Sequence, residues 1–373
     1  MNTFLQHLKT IDLIDMRQKG KIKHVLSDII ALALFATIAN ANDCVEINAF
    51  GQEHKKYLQK IIPLKHGIPS HDTIHRALAM ISPESLQSLQ THFNELLKTG
   101  EKEKIRKILA LDGKTQNGTS NEKQKANHIV SAVYHTGFCI GQERVEDKTN
   151  EITAIPELLD SLNIKGHIIT IDAMGTQREI AAKIRKKRAD YVFVLKANQK
   201  SLFLEVSLAF EDLAFLGGCV YFRKVERARG GVETREYWQS DKIRWLSVRK
   251  MWVGLKSVVM SRTTVVKDDG KMSVQTRYFI CSLPLDVKLV AKAVRGHWMV
   301  ESMHWCLDVL FCEDVDRTVD RHVAYNLNIL RKLALNFLRL LDVGAEYKQI
   351  SLRKKRFIMN CNPIKRLEQL LAL

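Results

Sequence analysis

The run LSDIIALALFATIANA, starting at Leu26, is apolar around every side of a helical projection, with Asp28 as its one acid. A helix that is apolar all round is a buried helix, and Ser27 is placed to cap its N-terminus. The stretch from Ile29 to Ala39 is too short to cross a bilayer. Two further helices are predicted from GIPSHDTIHRALAM and SPESLQSLQTHFNELL. One starts near Ser70 or Asp72. The other follows Ser82-Pro83, where a proline just inside the helix start is well tolerated. Residues 1–100 are therefore expected to form a helical N-terminal domain, with the basic cluster RQKGKIKH ahead of its first apolar helix. Such a domain suits DNA-end binding, and equally a packing role with solvated lysines.

After the charged stretch KTGEKEKIRK the pattern changes. KILALDGK predicts an apolar strand ending at Asp112. HIVSAVYH and FCIGQERV predict two strands around a turn at Thr136-Gly137. EITAIPELLDSLNIKG predicts a helix closing at Gly166. HIITIDAMG is an apolar strand ending in Asp172, QREIAAKIRKKR a helix, and YVFVLKANQ another strand. That order predicts an α/β fold, a mixed sheet flanked by helices. Residues 201–283 are rich in Val, Tyr, Thr and Phe with glycine turns between, which predicts an antiparallel β insertion. Helical spacing returns after Pro284 and runs through NILRKLALNFLRLL. Residues 346–373 then read as a basic C-terminal tail containing RKKR at 353–356.

Charge narrows the choice of partner. Lys and Arg outnumber Asp and Glu by 58 to 41, a net +17. A compact chain with that excess repels itself, so a polyanion is the natural partner, and nucleic acid comes first. An acidic membrane surface lacks support, because no basic amphipathic tail or lipidation signal is present. The seven cysteines include no C-x-x-C pair and no zinc-cage spacing, so they read as buried thiols in a reducing compartment. The N-terminus has no apolar signal core. A cytoplasmic protein associated with the nucleoid is expected.

Asp112 and Asp172 share a placement, each expected at the end of an apolar strand and followed by a turn. Carboxylates at the carboxyl ends of neighbouring strands lie at the rim where ligands bind. A third acid comes from HWMVESMHWCLDVLFCED, residues 297–314. On a helix, Met299, Val300, Met303, Leu307 and Leu310 fall on one face; His297, Trp298, Glu301, His304, Trp305 and Asp308 fall on the other. Two tryptophans on the second face predict a partly enclosed site rather than a solvated surface. Three carboxylates from two strands and a helix suit Mg²⁺, an oxygen-seeking cation. Two such ions roughly 3.5–4 Å apart can drive an in-line phosphoryl transfer. A zinc site from His297, Glu301 and His304 has no H-E-x-x-H motif behind it, and His304 with Asp308 could be an ordinary helix-surface pair.

The chain resembles the H-repeat-associated proteins, a branch of the bacterial insertion-sequence transposases of the DDE class. The resemblance runs nearly end to end, through LSDII, GIPSHDTIHR, ALDGKT, KTNEITAIPELL, IKGHIITIDAMGTQ, DYVFVLKANQ and VRGHWMVESMHWCLDV. It implies an RNase H-like catalytic domain over 101–200 and 284–345, with the β insertion placed before the last acid. It implies that Asp112, Asp172 and Glu301 hold the metals, Mg²⁺ with Mn²⁺ able to substitute. Within the matching motifs stand Lys114, Lys196, Asn198, Gln199, Arg295, His297, Trp298, His304 and Asp308. The three basic residues could hold phosphates, His297 could orient a carboxylate or a water, and Trp298 and Trp305 could wall the site. The implied partners are double-stranded DNA, as element ends and target, and a second copy of the chain in a synaptic complex.

The sequence also departs from that family's pattern. Gln116 and Asn117 stand where a hydrophobic residue and Arg are usual. Arg229-Gly230-Gly231-Val232-Glu233 replaces HGR-x-E, and Ser302 replaces an Asn. His297 and Asp308 occupy the places of the Arg and Lys of the wider group's Tyr-Arg-Glu-Lys signature. The expected function is DNA strand cleavage and strand transfer at insertion-sequence ends. The alternatives are an inactive DNA-binding remnant and a stand-alone Mg-dependent nuclease.

Overall fold

A computed structural model of the chain describes residues 22–99, 107–120, 122, 124–146, 149–228, 230–344, 347 and 350–371, together with 5, 6, 8, 17 and 20. Helix α1 (Leu26–Ile38) is buried at every position but Ser27. Its N-cap is Val25, with no side-chain cap, and not Ser27. The apolar packing starts at Leu26 itself, so the helix begins before the serine. Buried Asp28 accepts the Leu64 N–H at 3.2 Å. Helices α2 (Cys44–Glu53), α3 (Lys55–Leu58), α4 (His71–Met80) and α5 (Pro83–Thr99) follow. Ser70 caps α4 as expected, its hydroxyl accepting the Thr73 N–H.

A nine-stranded sheet forms the centre. Strands β1 (Ile108–Gln116), β2 (Asn127–Tyr134) and β3 (Cys139–Val145) form an antiparallel meander. Helix α6 (Glu151–Ser161) crosses to β4 (Ile168–Ile171), parallel to β1. Helix α7 (Arg178–Lys186) leads to β5 (Asp190–Leu195), parallel to β4. Helices α8 (Lys200–Glu211) and α9 (Leu213–Gly217) precede a second meander: β6 (Val220–Ala228), β7 (Gly231–Ser240), β8 (Ser257–Lys267) and β9 (Met272–Cys281). β9 pairs with β5, so the sheet order is β3-β2-β1-β4-β5-β9-β8-β7-β6. The first five strands make the RNase H-like sheet. The inserted strands extend that same sheet rather than standing apart, and residues 201–217 ahead of them are mainly helical.

Two further sequence boundaries move. β1 does not end at Asp112, because Gly113–Gln116 pair onward with Val130–Asn127 of β2. Helix α6 stops at Ser161, and Gly166 (φ +78°) instead turns the chain into β4. Asp172 does follow directly after its strand.

Helix α10 (Val287–Val309) lies across β1 and β2, with Val300, Met303 and Leu307 fully buried beneath it. Helix α11 (Arg321–Leu340) is buried along residues 323–338, between the N-terminal helices and the sheet. Polar groups within it find partners there. Asn326 donates to Leu78 and Ile81 carbonyls, Lys332 to Ser131 Oγ at 2.7 Å, and Asn336 clasps the Cys139 backbone from both sides. The region read as a basic tail holds α12 (Leu352–Cys361) and α13 (Pro363–Leu371), which bury Met359, Leu367 and Leu370 in the same core as α1 and α11. On the opposite face, α6, α7 and α8 cover the sheet in a second core. The cysteines are only partly as expected: Cys139, Cys281 and Cys306 are buried, whereas Cys361 is exposed. Among the described residues no helix is long and apolar enough to cross a membrane.

Candidate catalytic site

Strand alternation aims the site. Ala110 packs under the α10–α11 side of the sheet, whereas Leu109 and Leu111 pack on the other side. Asp112 and Lys114 therefore share the α10 side. Asp172 leaves β4 beside β1, and its carboxylate accepts the Met174 N–H at 2.8 Å. Glu301 is exposed on α10.

Asp112 is the electrostatic centre. Burial, and then the negative charges of Glu151, Asp172 and Glu301, push its carboxyl up to about 7. Glu301 is also pushed up, by partial desolvation from its surroundings and by Asp172, against the opposing pull of Arg277, Arg295 and Lys196. Among the described residues no three His, Cys, Asp or Glu side chains stand close enough together to hold one metal ion. The donor chemistry nevertheless fits a hard cation: all four acids offer oxygen, and their mutual repulsion is what a cation would relieve.

The two histidines are neutral near physiological pH. Burial drives His297 down to about 4, and its Nδ1 lies 3.1 Å from Thr170 Oγ1 on β4. Burial, with the cations Lys332 and Lys114, drives His304 down to about 3. Its Nδ1 lies 3.8 Å from Asp112 Oδ2, while its Nε2 is buried without a hydrogen-bond partner among the described residues.

Several other expected residues take different roles. Lys114, expected to meet a phosphate, is ion-paired within the protein. Its ammonium, largely buried, meets Asp308 at 2.7 Å, Asp314 at 3.0 Å and Glu313 at 3.4 Å. Asp308 is thereby committed to Lys114. Asn198 donates to the Ala173 carbonyl and Gln199 to that of Thr176 at 2.9 Å, so both brace the loop that follows Asp172. Lys196 and Arg295 remain exposed beside Glu301. The tryptophan face is open, not enclosed: Trp298 is 36% exposed and Trp305 54%. The Arg277 guanidinium sits 5.1 Å from the Trp298 ring centroid.

Two residues escape a reading of the sequence. Glu151 opens α6 after its cap Asn150, where an acid is ordinarily read as complementing the helix dipole. Here its Oε1 meets His128 Nε2 at 2.7 Å, beside Asp112. Gly113 makes room for that pair, since a Cβ there would lie 2.1 Å from Glu151 Oε1 and 2.5 Å from His128 Nε2. Arg277 comes from the inserted strand β9, and nothing in the sequence says that β9 docks on β5 beside α10.

Known proteins resemble this chain over most of its length. The family described as Transposase DDE domain matches residues 103–337, and the family DDE_Tnp_1-associated matches residues 5–94. The chain is 38% identical over 336 residues to "Putative transposase YncI" of Escherichia coli O157:H7, covering 87% of this chain and 85% of that one. It is 34% identical over 352 residues to "H repeat-associated putative transposase YhhI" of Escherichia coli K12, covering 91% and 90%. A shorter relative, "Inactive transposase YbfQ" of Escherichia coli K12, is 40% identical over 65 residues, which is 17% of this chain and 77% of that one. The chain belongs to the DDE transposase family, on its H-repeat-associated branch.

Proposed function

We propose that this protein cuts DNA at the ends of an insertion sequence and joins the freed ends to target DNA, using Asp112, Asp172 and Glu301 as its metal-holding carboxylates. The observation that carries the reading is the crowding at Asp112, a half-buried acid on a central strand surrounded by the charges of three others. Glu301 is exposed on α10, so rotation about its χ angles can turn it toward the two aspartates. Divalent cations bound there would supply Lewis acidity to the scissile phosphate and its attacking oxygen. The protein's own groups do the rest. Neutral His297 is fixed on Thr170 and neutral His304 borders Asp112, so neither adds positive charge that would compete with the metals. Lys196, Arg277 and Arg295 surround Glu301 and suit the phosphates on either side of the cut.

The net +17 supports a duplex DNA partner in the bacterial cytoplasm. Bringing two ends together calls for two copies of the chain. The test uses a labelled fragment carrying the terminal repeats that flank the gene, with Mg²⁺ or Mn²⁺. Breaks at the repeat boundaries and joined products are expected from the wild type. Glu301→Gln should bind the same DNA and leave it uncut. Cleavage by Glu301→Gln at the wild-type rate would remove Glu301 from the mechanism. Breaks without joined products would leave a nuclease, and binding without breaks under either metal would leave an inactive DNA-binding copy.

A further inference from the structure

Strand β3 is an edge of the sheet, and α5 and α6 both pack on it. Between the two helices lies a cavity of about 230 Å³. Ile140 and Leu162 give it an apolar wall, and α5 gives it a polar one.

The polar wall accepts hydrogen bonds and hardly donates them. Gln87 spends its amide hydrogens on the Gln142 carbonyl at 3.0 Å and on Tyr325 Oη at 2.8 Å. Gln90 is buried and gives its amide to the Cys139 carbonyl at 3.2 Å, which leaves its Oε1 without a partner among the described residues. Gln142 Oε1 is buried and unpartnered in the same way, while the Gln142 amide neighbours the Tyr325 hydroxyl. Ser88, Thr91 and Ser161 each donate their hydroxyl proton to a carbonyl one turn back, so only their lone pairs remain. Buried acceptors left without donors are costly, so the cavity calls for a ligand rich in N–H.

Negative charge gathers beside it, in a chain of net +17. Glu84 lines the cavity and is exposed. Half-buried Glu143, next to Gln142, has its carboxyl pushed up by burial and then by Glu157 and Glu84, against Arg144. Water would satisfy the acceptors but would leave that charge uncompensated and gain nothing from Ile140 and Leu162. A bare divalent ion asks for carboxylates within the cavity itself. A guanidinium is a planar fork that suits a single carboxylate. An alkylammonium carries three donors in three directions on an apolar chain.

We infer that this cavity binds a small aliphatic diamine, one ammonium among the glutamine and hydroxyl oxygens, the other at Glu84, and the alkyl chain along Ile140 and Leu162. Helix α5 belongs largely to the region matched by the DDE_Tnp_1-associated family, and β3 and α6 to the DDE domain, so an occupant would tie the two regions together. None of this depends on whether the chain cuts DNA.

The test titrates 1,4-diaminobutane into the full chain, free of DNA, by calorimetry. Saturable binding is expected, with a rise in melting temperature. 1,4-Butanediol has no charge and tetramethylammonium has no N–H, so neither should bind. A lysine side chain from another protein would bring the same ammonium without a second one. Butylamine stands in for it and should bind roughly tenfold more weakly than the diamine, as should the diamine to Glu84→Gln, each lacking one charge-assisted contact. Thr91→Trp, also at an exposed position, should fill the cavity and abolish binding. Both variants should melt close to the wild type when no amine is present. Binding that Thr91→Trp retains comes from another acidic site and overturns the inference. So does butylamine binding as tightly as the diamine. The absence of binding by either amine would leave the cavity to water and overturn it too.

Discussion

Lys114 Nζ lies 2.7 Å from Asp308 Oδ1, and that contact joins the strand carrying Asp112 to the helix carrying Glu301. Asp308 sits two turns beyond Glu301 on α10, and Lys114 two residues beyond Asp112 on β1. Asp314 and Glu313, from the segment after α10, close around the same ammonium. Glu313 is fully buried, and it also accepts from Gln116 and Asn328. Removing the lysine would leave the buried Glu313 carboxylate paired, among the described residues, only with the Arg331 guanidinium, 3.8 Å from its Oε1.

Lys114→Met should therefore destabilise the protein by about 3–5 kcal/mol, the usual cost of breaking a buried pair from one side. Adding Glu313→Gln should restore part of that loss. The measurement is urea unfolding of the wild type, both single variants and the double variant, read as a thermodynamic cycle. A lysine that merely held phosphate would show no coupling to Glu313 and little loss of stability.

Asp112 predicts a pH dependence of the opposite sign to an ordinary ion-paired acid. Its carboxyl is pushed up to about 7 in the folded chain, against an ordinary value of 3.8. Between those values the folded chain keeps a proton that the unfolded chain releases. Its contribution to stability is present in full below about 4 and is lost as pH rises through 7. Asp112→Asn should flatten that decline and stabilise the metal-free protein at pH above 7 by on the order of 1–3 kcal/mol. Mg²⁺ favours the ionised carboxylate, so it should flatten the decline in the wild type and do little in the variant. Thermal melts across pH, with and without Mg²⁺, check both. An unchanged slope in Asp112→Asn would mean that other acids carry the dependence. His297 and His304, driven down to about 4 and 3, act the other way, losing stability as pH falls below 6.5.

Much of the fold is legible in the sequence. The apolar runs at 108–111, 168–171 and 191–195 are strands because each is buried on both faces, and such runs need no periodicity to be recognised. The two-faced helix around Glu301 is legible from spacing alone. The far half of β1 is not, because Gly113–Gln116 is polar and holds its strand form through pairing with β2. The burial of α12 is hidden by RKKR, whose charges conceal the anchor Met359. The Lys114 cage is hidden for a different reason. A lysine after a catalytic aspartate looks like a phosphate contact until the segment 313–314, two hundred residues away, folds over it.

Gly118 marks where that covering segment presses hardest. A Cβ at Gly118 would stand 1.9 Å from the Asp316 carbonyl oxygen, which is backbone and cannot swing aside. Gly118→Ala should push residues 314–316 away from β1, costing about 1–3 kcal/mol by overpacking. It should also weaken the Asn117–Asp314 hydrogen bond, now 3.1 Å. Gly166→Ala is the control. Its φ of +78° is strained, but a Cβ there would meet nothing within 4 Å among the described residues, so its cost should stay near 1 kcal/mol. Equal losses in the two unfolding curves would mean that the 314–316 contact yields freely.

Asn198 and Gln199 reveal whether loop bracing matters to chemistry. They donate to the carbonyls of Ala173 and Thr176, the two sides of the turn that positions Asp172. Asn198 is exposed, so its replacement should cost little stability. A displacement of about 1 Å at Asp172 would still be expensive in rate, since misplacement on that scale can cost about a hundredfold. Asn198→Ala should therefore slow end cleavage by roughly ten- to a hundredfold while the melting temperature barely moves. Asn198→Asp lacks the donating amide and should behave like the alanine, whereas Asn198→Gln should recover part of the rate. The rate loss should appear in single-turnover cleavage with DNA affinity unchanged. If affinity falls and the single-turnover rate holds, Asn198 contacts DNA instead of steadying the Asp172 loop.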